Sequence, residues 1–196
     1  MKENIKRRDL ENFNGVNFSG KTFSYHEFEE CTFEKCDLSQ SVFENCRFTD
    51  CRFVDSNLSN FQATHSRFSG NLFEGCKIIG VDWTKSFWDE FALSIPLKFY
   101  RCNLSDSSFF GLKLSECVLE DCKLHYTDFR EGNFKKAVFS GSDFSNALFG
   151  NTDISEADFI NATNYSINIH NNRFKGAKFD RASAIRLLES LDIELV

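Results

Sequence analysis

The sequence has one proline, one methionine and no long apolar run in its 196 residues, and these scarcities limit the classes of protein it can encode. No apolar segment approaches the roughly 20 residues that a membrane-spanning helix needs. The first ten residues, MKENIKRRDL, are charged and precede no hydrophobic segment, unlike a secretion signal. We therefore expect no membrane association and a cytoplasmic location.

The sequence also has fewer basic than acidic residues. The formal net charge of −6 argues against direct nucleic-acid binding through a basic patch. Eight cysteines are present, but a cytoplasmic protein keeps thiols reduced. The cysteine pairs at 31/36, 46/51 and 117/122 are five residues apart, which is not a CxxC spacing, and no histidine completes a ligand pattern. We expect no metal and no cofactor, and cysteines that pack as small hydrophobic residues.

What the sequence does have is 24 phenylalanines, most of them at a period of five. This period fits neither a helix, at 3.6 residues, nor a strand, at two. The series runs from Phe13 to Leu93, slips by one residue, and resumes from Phe99 to Phe179. Of its 34 positions 20 are Phe, and only Asn164 is polar. A second series of small residues, which includes every cysteine, lies two positions earlier, so each unit has two inward and three outward residues.

The units resemble those of the pentapeptide-repeat family, which read roughly A(D/N)Lxx, as in AVFSG, SDFSN, TDISE and ADFIN. The resemblance covers about residues 13–179. It implies an all-β solenoid, a right-handed quadrilateral pentapeptide-repeat β-helix with four units per coil, in which residues 20 apart stack. Stacked coils bury columns of large side chains, which no single repeat can do. Phe61 and Ala63 exchange the large and small positions, which conserves volume as close packing requires.

The predicted organisation follows from this series: an N-terminal lead-in at 1–12, the N-terminal half of the β-helix at 13–93, a one-residue phase slip or kink at 94–98, the C-terminal half at 99–180, and a C-terminal helix and tail at 181–196. The slip follows Trp83 and Trp88 and contains Pro96, which cannot donate to a ladder. It is either a structural kink between two halves or a recognition loop. A slip of one residue leaves no room for a long projecting loop.

Two other irregularities are informative. A buried Asn164 has to find hydrogen-bond partners, and we expect the coil to be distorted there instead. In the tail, Leu187, Leu188 and Leu191 lie at helical spacing, and Ile193 begins a short alternating segment. An open solenoid end needs a cap, so the tail forms either a helix that closes its own chain or the interface of a symmetric dimer.

The tail pattern LLESLDIEL, with VDWTKSFW and ATNYSINI, resembles the Qnr quinolone-resistance and albicidin-resistance branch of the family. That resemblance implies a homodimer joined through the C-terminus, with Leu187, Leu188, Leu191 and Ile193 in the interface. It also implies a protein partner, DNA gyrase or topoisomerase IV, which is protected by DNA mimicry from poisons such as quinolones or albicidin. The alternative is a general interaction scaffold, because inward residues set the fold while outward residues set the function.

No catalytic site is expected. A rod offers no evident concave pocket, and His26, His65, His125 and His170 are scattered, as surface or corner residues would be. Duplex DNA carries one charge per about 1.7 Å, far more than this chain, so mimicry would need local acidic stripes. If the coil register continued through the slip, one side would carry Glu34, Asp55, Glu74, Glu116, Asp153 and Glu156, and the adjoining side Glu29, Glu30, Asp50, Asp89 and Glu90.

Overall fold

A computed structural model describes residues 5–88 and 96–191 as a stack of short parallel strands. The strands are β1 (Lys6–Asp9), β2 (Asn12–Asn14), β3 (Thr22–Ser24), β4 (His26–Glu29), β5 (Thr32–Glu34), β6 (Val42–Glu44), β7 (Arg47–Thr49), β8 (Arg52–Val54), β9 (Arg67–Ser69), β10 (Leu72–Glu74), β11 (Lys98–Tyr100), β12 (Val118–Glu120), β13 (Asp158–Phe159) and β14 (Lys178–Phe179). Two 3₁₀ helices cover Trp83–Lys85 and Ser183–Leu191.

Residues 20 apart pair, as the resemblance to the pentapeptide-repeat family implies. Phe13 lies under Phe33, which lies under Phe53. Because four units separate paired strands, the chain turns around four sides. The first side contains β2, β5, β8, β10, β11 and β12, and the fourth contains β1, β4, β7 and β9. The third side contains β3 and β6, and the second is joined by isolated bridges such as Asn57 to Lys77. The predicted quadrilateral β-helix is confirmed.

The core consists of the stacked large residues. The rings of Phe33 and Phe53 lie parallel at 4.7 Å, and those of Phe53 and Phe73 are also 4.7 Å apart. These separations equal the distance between neighbouring strands, so one spacing satisfies both the backbone ladder and the ring contacts. From Phe13 to Phe179 the first side has eight such steps, which makes the rod about 38 Å long.

The small inward series satisfies the buried backbone at the corners. Ser142 accepts a hydrogen bond from the amide of Cys122 at 2.9 Å and donates to the carbonyl of Leu119 at 2.7 Å. Ser66 bridges the amide of Cys46 and the carbonyl of Phe43 in the same way. Serine therefore fills the small position and also completes the hydrogen bonding of the coil below it.

The last outward residue of most units forms the corner. It adopts the left-handed conformation at glycines such as Gly15 and at non-glycine residues such as Asp50 (φ 51°) and His65 (φ 53°). Asn, Asp and Gly tolerate this conformation best, which explains their frequency at this position.

One coil is longer than the others. Phe99 pairs with Phe73, and Asn103 with Lys77, each 26 residues apart instead of 20. The predicted one-residue slip at 94–98 is therefore wrong, because an insertion of six has the same phase as an insertion of one when the period is five. Phe99 takes the place above Phe73 that the sequence assigned to Leu93, which lies outside the described residues. Ten residues, instead of four, lie between Trp88 and Phe99, so the expectation that this coil has no room for a loop is also wrong.

The columns nevertheless continue through the long coil. The rings of Phe73 and Phe99 stack at 4.8 Å, and Trp83 stacks on Phe109 at 6.0 Å. Trp83 is fully buried, above the small Ala63 that makes room for it. The indole nitrogen of Trp88 donates to the Trp83 carbonyl at 2.8 Å. A buried Leu97 follows Pro96 and accepts from the Val118 amide, so the ladder resumes directly.

The expected distortion at Asn164 is confirmed. Asn164 is exposed with a positive φ of 56°, and its side-chain amide donates to Asp143 at 2.9 Å. Tyr165 is buried beside Phe159 and Phe179. Turning the polar residue outward thus places the next residue, an aromatic one, in the core.

The two ends of the rod are closed differently. The segment predicted as a lead-in includes β1, in which Arg8 lies beneath Phe28 and 5.8 Å from the ring of Phe13. An inward charge on an edge coil discourages end-to-end pairing. At the other end the 3₁₀ helix places Leu187 against the core. The helix predicted at the tail is therefore present, with 3₁₀ geometry.

Replacing Ser142 with Ala should destabilise the fold, because the Cys122 amide and the Leu119 carbonyl would lose their side-chain partner. An unsatisfied buried group costs about 1–3 kcal/mol, and we expect a lower midpoint of chemical denaturation. Ser142→Cys should lose less, since Cys122 occupies the equivalent position one coil earlier. Ser140→Ala, at an outward residue, is the control, and an equal loss in both alanine variants would contradict this role.

Candidate partner-binding surface

The acidic residues predicted as a stripe lie on two sides of the rod, in a different arrangement from the one predicted. Glu34 and Glu74 belong to the first side. Asp153 pairs with Asn133 and Arg173 on the fourth side, which also carries Glu29. The error has the same origin as the mistaken slip, because the long coil moves every later unit to the neighbouring side. Glu116, Asp153 and Glu156 thus continue the side of Glu29 and Asp50.

Most of these carboxylates are paired with cations on the same surface. Glu29 lies 2.6 Å from Arg7, and Glu156 lies 3.0 Å from Lys135. Glu74 contacts Arg101. The remaining pairs are Glu34 with Lys35, Glu116 with Lys136 and Asp153 with Arg173. The stripe is therefore a mixed surface with local charge compensation.

Five predicted stripe residues form corners with positive φ: Glu30, Asp50, Asp55, Glu116 and Glu156. Asp50 and Asp55 are both exposed. The Asp55 carboxylate lies against Gly75 of the next coil, where a Cβ atom would be 2.3 Å from its Oδ1. Asp89, Glu90 and the predicted dimer residue Ile193 lie outside the described residues.

The tail residues differ in their exposure. Leu187, Leu188 and Leu191 are all half-buried, and Leu187 packs against the core. Ile185, which the sequence analysis missed, is 50% exposed. The 3₁₀ helix therefore both covers the last coil of its own chain and presents apolar side chains outward.

A second exposed apolar group lies on the third side, where Phe110 and Leu148 are each nearly half exposed. Arg130 lies 5.8 Å from the ring of Phe110 and forms a bidentate pair with Asp128. The exposure of Phe110 and Leu148 could have been predicted from the sequence, since both are large apolar residues at outward positions of the five-residue unit.

The cysteines have the predicted packing role. All eight are buried and free. Burial raises the pKa of the Cys51 thiol to about 12, so it stays protonated and unreactive at neutral pH. Within the described residues, no group of three or more His, Cys, Asp and Glu side chains could hold a metal ion.

One histidine is not where it was expected. His26 is buried in a small inward position, between the rings of Phe23 and Phe28, and its Nδ1 lies 3.0 Å from the Ser24 carbonyl oxygen. Sequence periodicity could have identified it, since Cys46 lies exactly 20 residues later. The other three histidines are at corner or outward positions.

The expectation of a rod with no concave surface needs correction. Two open grooves lie along the edge between the third and fourth sides. One, of about 380 Å³, includes Arg47, Arg67 and Phe87. The other, of about 440 Å³, includes Glu131, Asp153 and Arg173. Among helices of the described residues, none has the length and apolar character to cross a membrane.

The parallel coils and the stacked columns of rings define a β-solenoid. Its outward side chains are the ones available to bind a partner. A family model described as a pentapeptide repeat region matches residues 26–95 and 92–159. The chain belongs to the pentapeptide-repeat family.

The chain is similar to several solved structures. A trypsin-treated form of QnrB1, described as a plasmid-mediated fluoroquinolone resistance protein, is 22% identical with a TM-score of 0.56, and the match covers 97% of this chain and 100% of that one. Full-length QnrB1 is also 22% identical, with a TM-score of 0.46 and coverage of 95% and 100%. HetL, involved in heterocyst differentiation regulation in the cyanobacterium Nostoc, is 14% identical with a TM-score of 0.45 and coverage of 88% and 84%. No curated protein sequence gave a significant match.

The buried His26 predicts acid sensitivity. Burial lowers its pKa, with smaller contributions from Lys6 and Arg8, so the unfolded chain takes up a proton at a higher pH than the folded chain. The stability that neutral His26 contributes is present above its unfolded pKa of about 6.5 and is lost as the pH falls towards the folded value. We expect the thermal midpoint to fall on acidification, and to fall less in His26→Cys. An identical pH dependence in both proteins would refute this.

Proposed function

We propose that this protein binds a type II DNA topoisomerase, DNA gyrase or topoisomerase IV, in the cytoplasm and protects it from poisons such as quinolones or albicidin. The action would be non-enzymatic, by occupying the DNA-binding surface or displacing the drug. The observation that carries the proposal is the end-to-end match to QnrB1, described as a fluoroquinolone resistance protein, over 97% of this chain. The tail that resembles the same branch of the family adds support.

DNA mimicry would depend on shape more than on acidic stripes. Six of the predicted stripe carboxylates are paired with Lys or Arg, so the stripe has less net negative charge than its carboxylates alone would give. Exposed ion pairs of this kind contribute little free energy and can rearrange when a partner brings its own charges. The paired carboxylates could thus exchange cations with a basic DNA-binding surface.

The homodimer is part of the proposal. Two rods of about 38 Å joined at their C-terminal ends would span about 76 Å, the length of a short DNA duplex. Ile185 and Leu188 present apolar surface at the end where such a junction would form. Burying these side chains against a second copy would remove them from water.

The second candidate is a general interaction scaffold. The exposed Phe110 and Leu148 favour it, because apolar residues at outward positions serve protein contacts of any kind. The fold alone does not separate the candidates, since members of one fold carry unrelated functions.

The direct test is DNA supercoiling by purified gyrase, with a quinolone, with albicidin, and with neither. We expect this protein to restore supercoiling in the presence of at least one of the two drugs. Glu74→Lys and Asp153→Lys should weaken the rescue, while Lys98→Gln is a control on the first side. The absence both of rescue and of any effect on gyrase alone would reject the proposal and favour the scaffold.

The dimer is tested by sedimentation. Ile185→Asp with Leu188→Asp should convert a dimer into a folded monomer, because the charges would oppose burial at the junction. Leu187→Asp should instead destabilise the last coil, since Leu187 packs against its own core. A dimer mass that is unchanged in the double variant would exclude this interface.

A further inference from the structure

The groove beside Arg47 and Arg67 is lined by more basic than acidic side chains, in contrast to the net negative charge of the protein. It follows the edge between the third and fourth sides in the N-terminal half of the rod, and its volume is about 380 Å³. One wall consists of the corner residues Tyr25, Asn45 and His65, whose positive φ values direct them away from the coil.

The opposite wall is basic. Arg47 and Arg67 are strand partners on β7 and β9, so their backbones are one coil spacing apart, about 4.8 Å. Glu27 lies 3.3 Å from Arg47. Across the part of the chain that the structure describes, no carboxylate lies within 4.0 Å of Arg67. The described lining residues therefore include two guanidinium groups and one carboxylate, which gives this lining a net positive charge.

Arg67 is held in a defined orientation. Its guanidinium carbon lies 3.9 Å from the centre of the Phe87 ring, which is 43% exposed. Stacking on the ring uses one face of the guanidinium and leaves its N–H edge for a planar anion. A carboxylate accepts two parallel hydrogen bonds from such an edge.

The dimensions of the groove indicate the kind of molecule that fits. Its lining extends from Ile5, next to the first strand, to Phe87, four coils further along. Four spacings are about 19 Å, the length of about six residues of extended chain. The groove is open along this length, and Cys46 lies at its floor. A linear segment matches this shape better than a compact small molecule does.

We propose that this groove binds an extended acidic peptide segment of a partner protein, with carboxylate side chains on Arg47 and Arg67 and an apolar side chain near Phe87. The charges are complementary, since Arg67 has no carboxylate partner among the described residues and neighbouring guanidinium groups repel each other until an anion bridges them. The site does not depend on the partner being a topoisomerase.

The experiment measures fluorescence polarisation of a labelled, end-blocked hexapeptide, Ser-Glu-Ser-Glu-Ser-Phe, with the full chain. Its two Glu and its Phe share one face when extended. We expect saturable binding that weakens as salt is raised. The matched peptide with Gln in place of Glu should bind about tenfold more weakly, because it cannot form charge-assisted hydrogen bonds.

Protein variants locate the site. Arg47→Gln with Arg67→Gln should weaken binding about tenfold, whereas Arg67→Lys should have a smaller effect because it keeps the charge and loses the planar fork. Arg52→Gln is the matched control, since Arg52 is an exposed arginine on the first side, 3.9 Å from Glu74. All three arginines are on the surface, and circular dichroism checks that each variant keeps the β-helix.

Each remaining outcome overturns the proposal. Binding that is equal in the double variant and wild type places the peptide elsewhere, and equal binding of the Gln peptide removes the role of charge. An equal loss in Arg52→Gln shows non-specific attraction. Full competition by free glutamate or inorganic phosphate at the peptide's own concentration reduces the groove to a simple anion site. No saturable binding of the Glu peptide excludes the segment that we propose.

Discussion

The register in which each coil lies on the next is the constraint on which the rest of this structure depends. Strands 20 residues apart pair in parallel, and the same spacing brings Phe53 onto Phe33 and Ser142 onto the backbone of Cys122. Hydrogen bonds, ring contacts and corner bridges therefore require one common distance of about 4.8 Å. A side chain that fits poorly at one level is compensated at the next, as Ala63 compensates Trp83.

This dependence explains why so much of the fold could be predicted. Inward residues repeat because each must match the coil above and below. The period of five and the exchange between Phe61 and Ala63 can therefore be predicted from the two inward positions of each unit, whereas the four sides are what the resemblance to the pentapeptide-repeat family implies. Asn164 violated the rule and marked a real distortion. The buried place of His26 could have been found in the same way, from its position 20 residues before Cys46.

The long coil and the functional surface could not be derived in this way. A period of five cannot distinguish an insertion of six residues from an insertion of one, and only the pairing of Phe73 with Phe99 decides between them. The contacts between outward side chains cannot be derived from the period, because pairs such as Glu74 with Arg101 depend on which units are neighbours in space. The basic groove at Arg47 and Arg67 likewise exists only once strands β7 and β9 are adjacent.

The 26-residue coil has a geometric effect beyond its length. Had the chain returned to the ladder one unit earlier, the Phe99 unit would stand above Ile78, and the whole C-terminal half would be rotated by a quarter turn about the rod axis. Its core would be nearly the same, since the inward residues are interchangeable in size. Its outer surface would be different, with new neighbours for Glu116 and Asp153. The position at which the 26-residue coil rejoins the stack therefore determines how the outer surface of the C-terminal half is rotated about the rod axis relative to that of the N-terminal half.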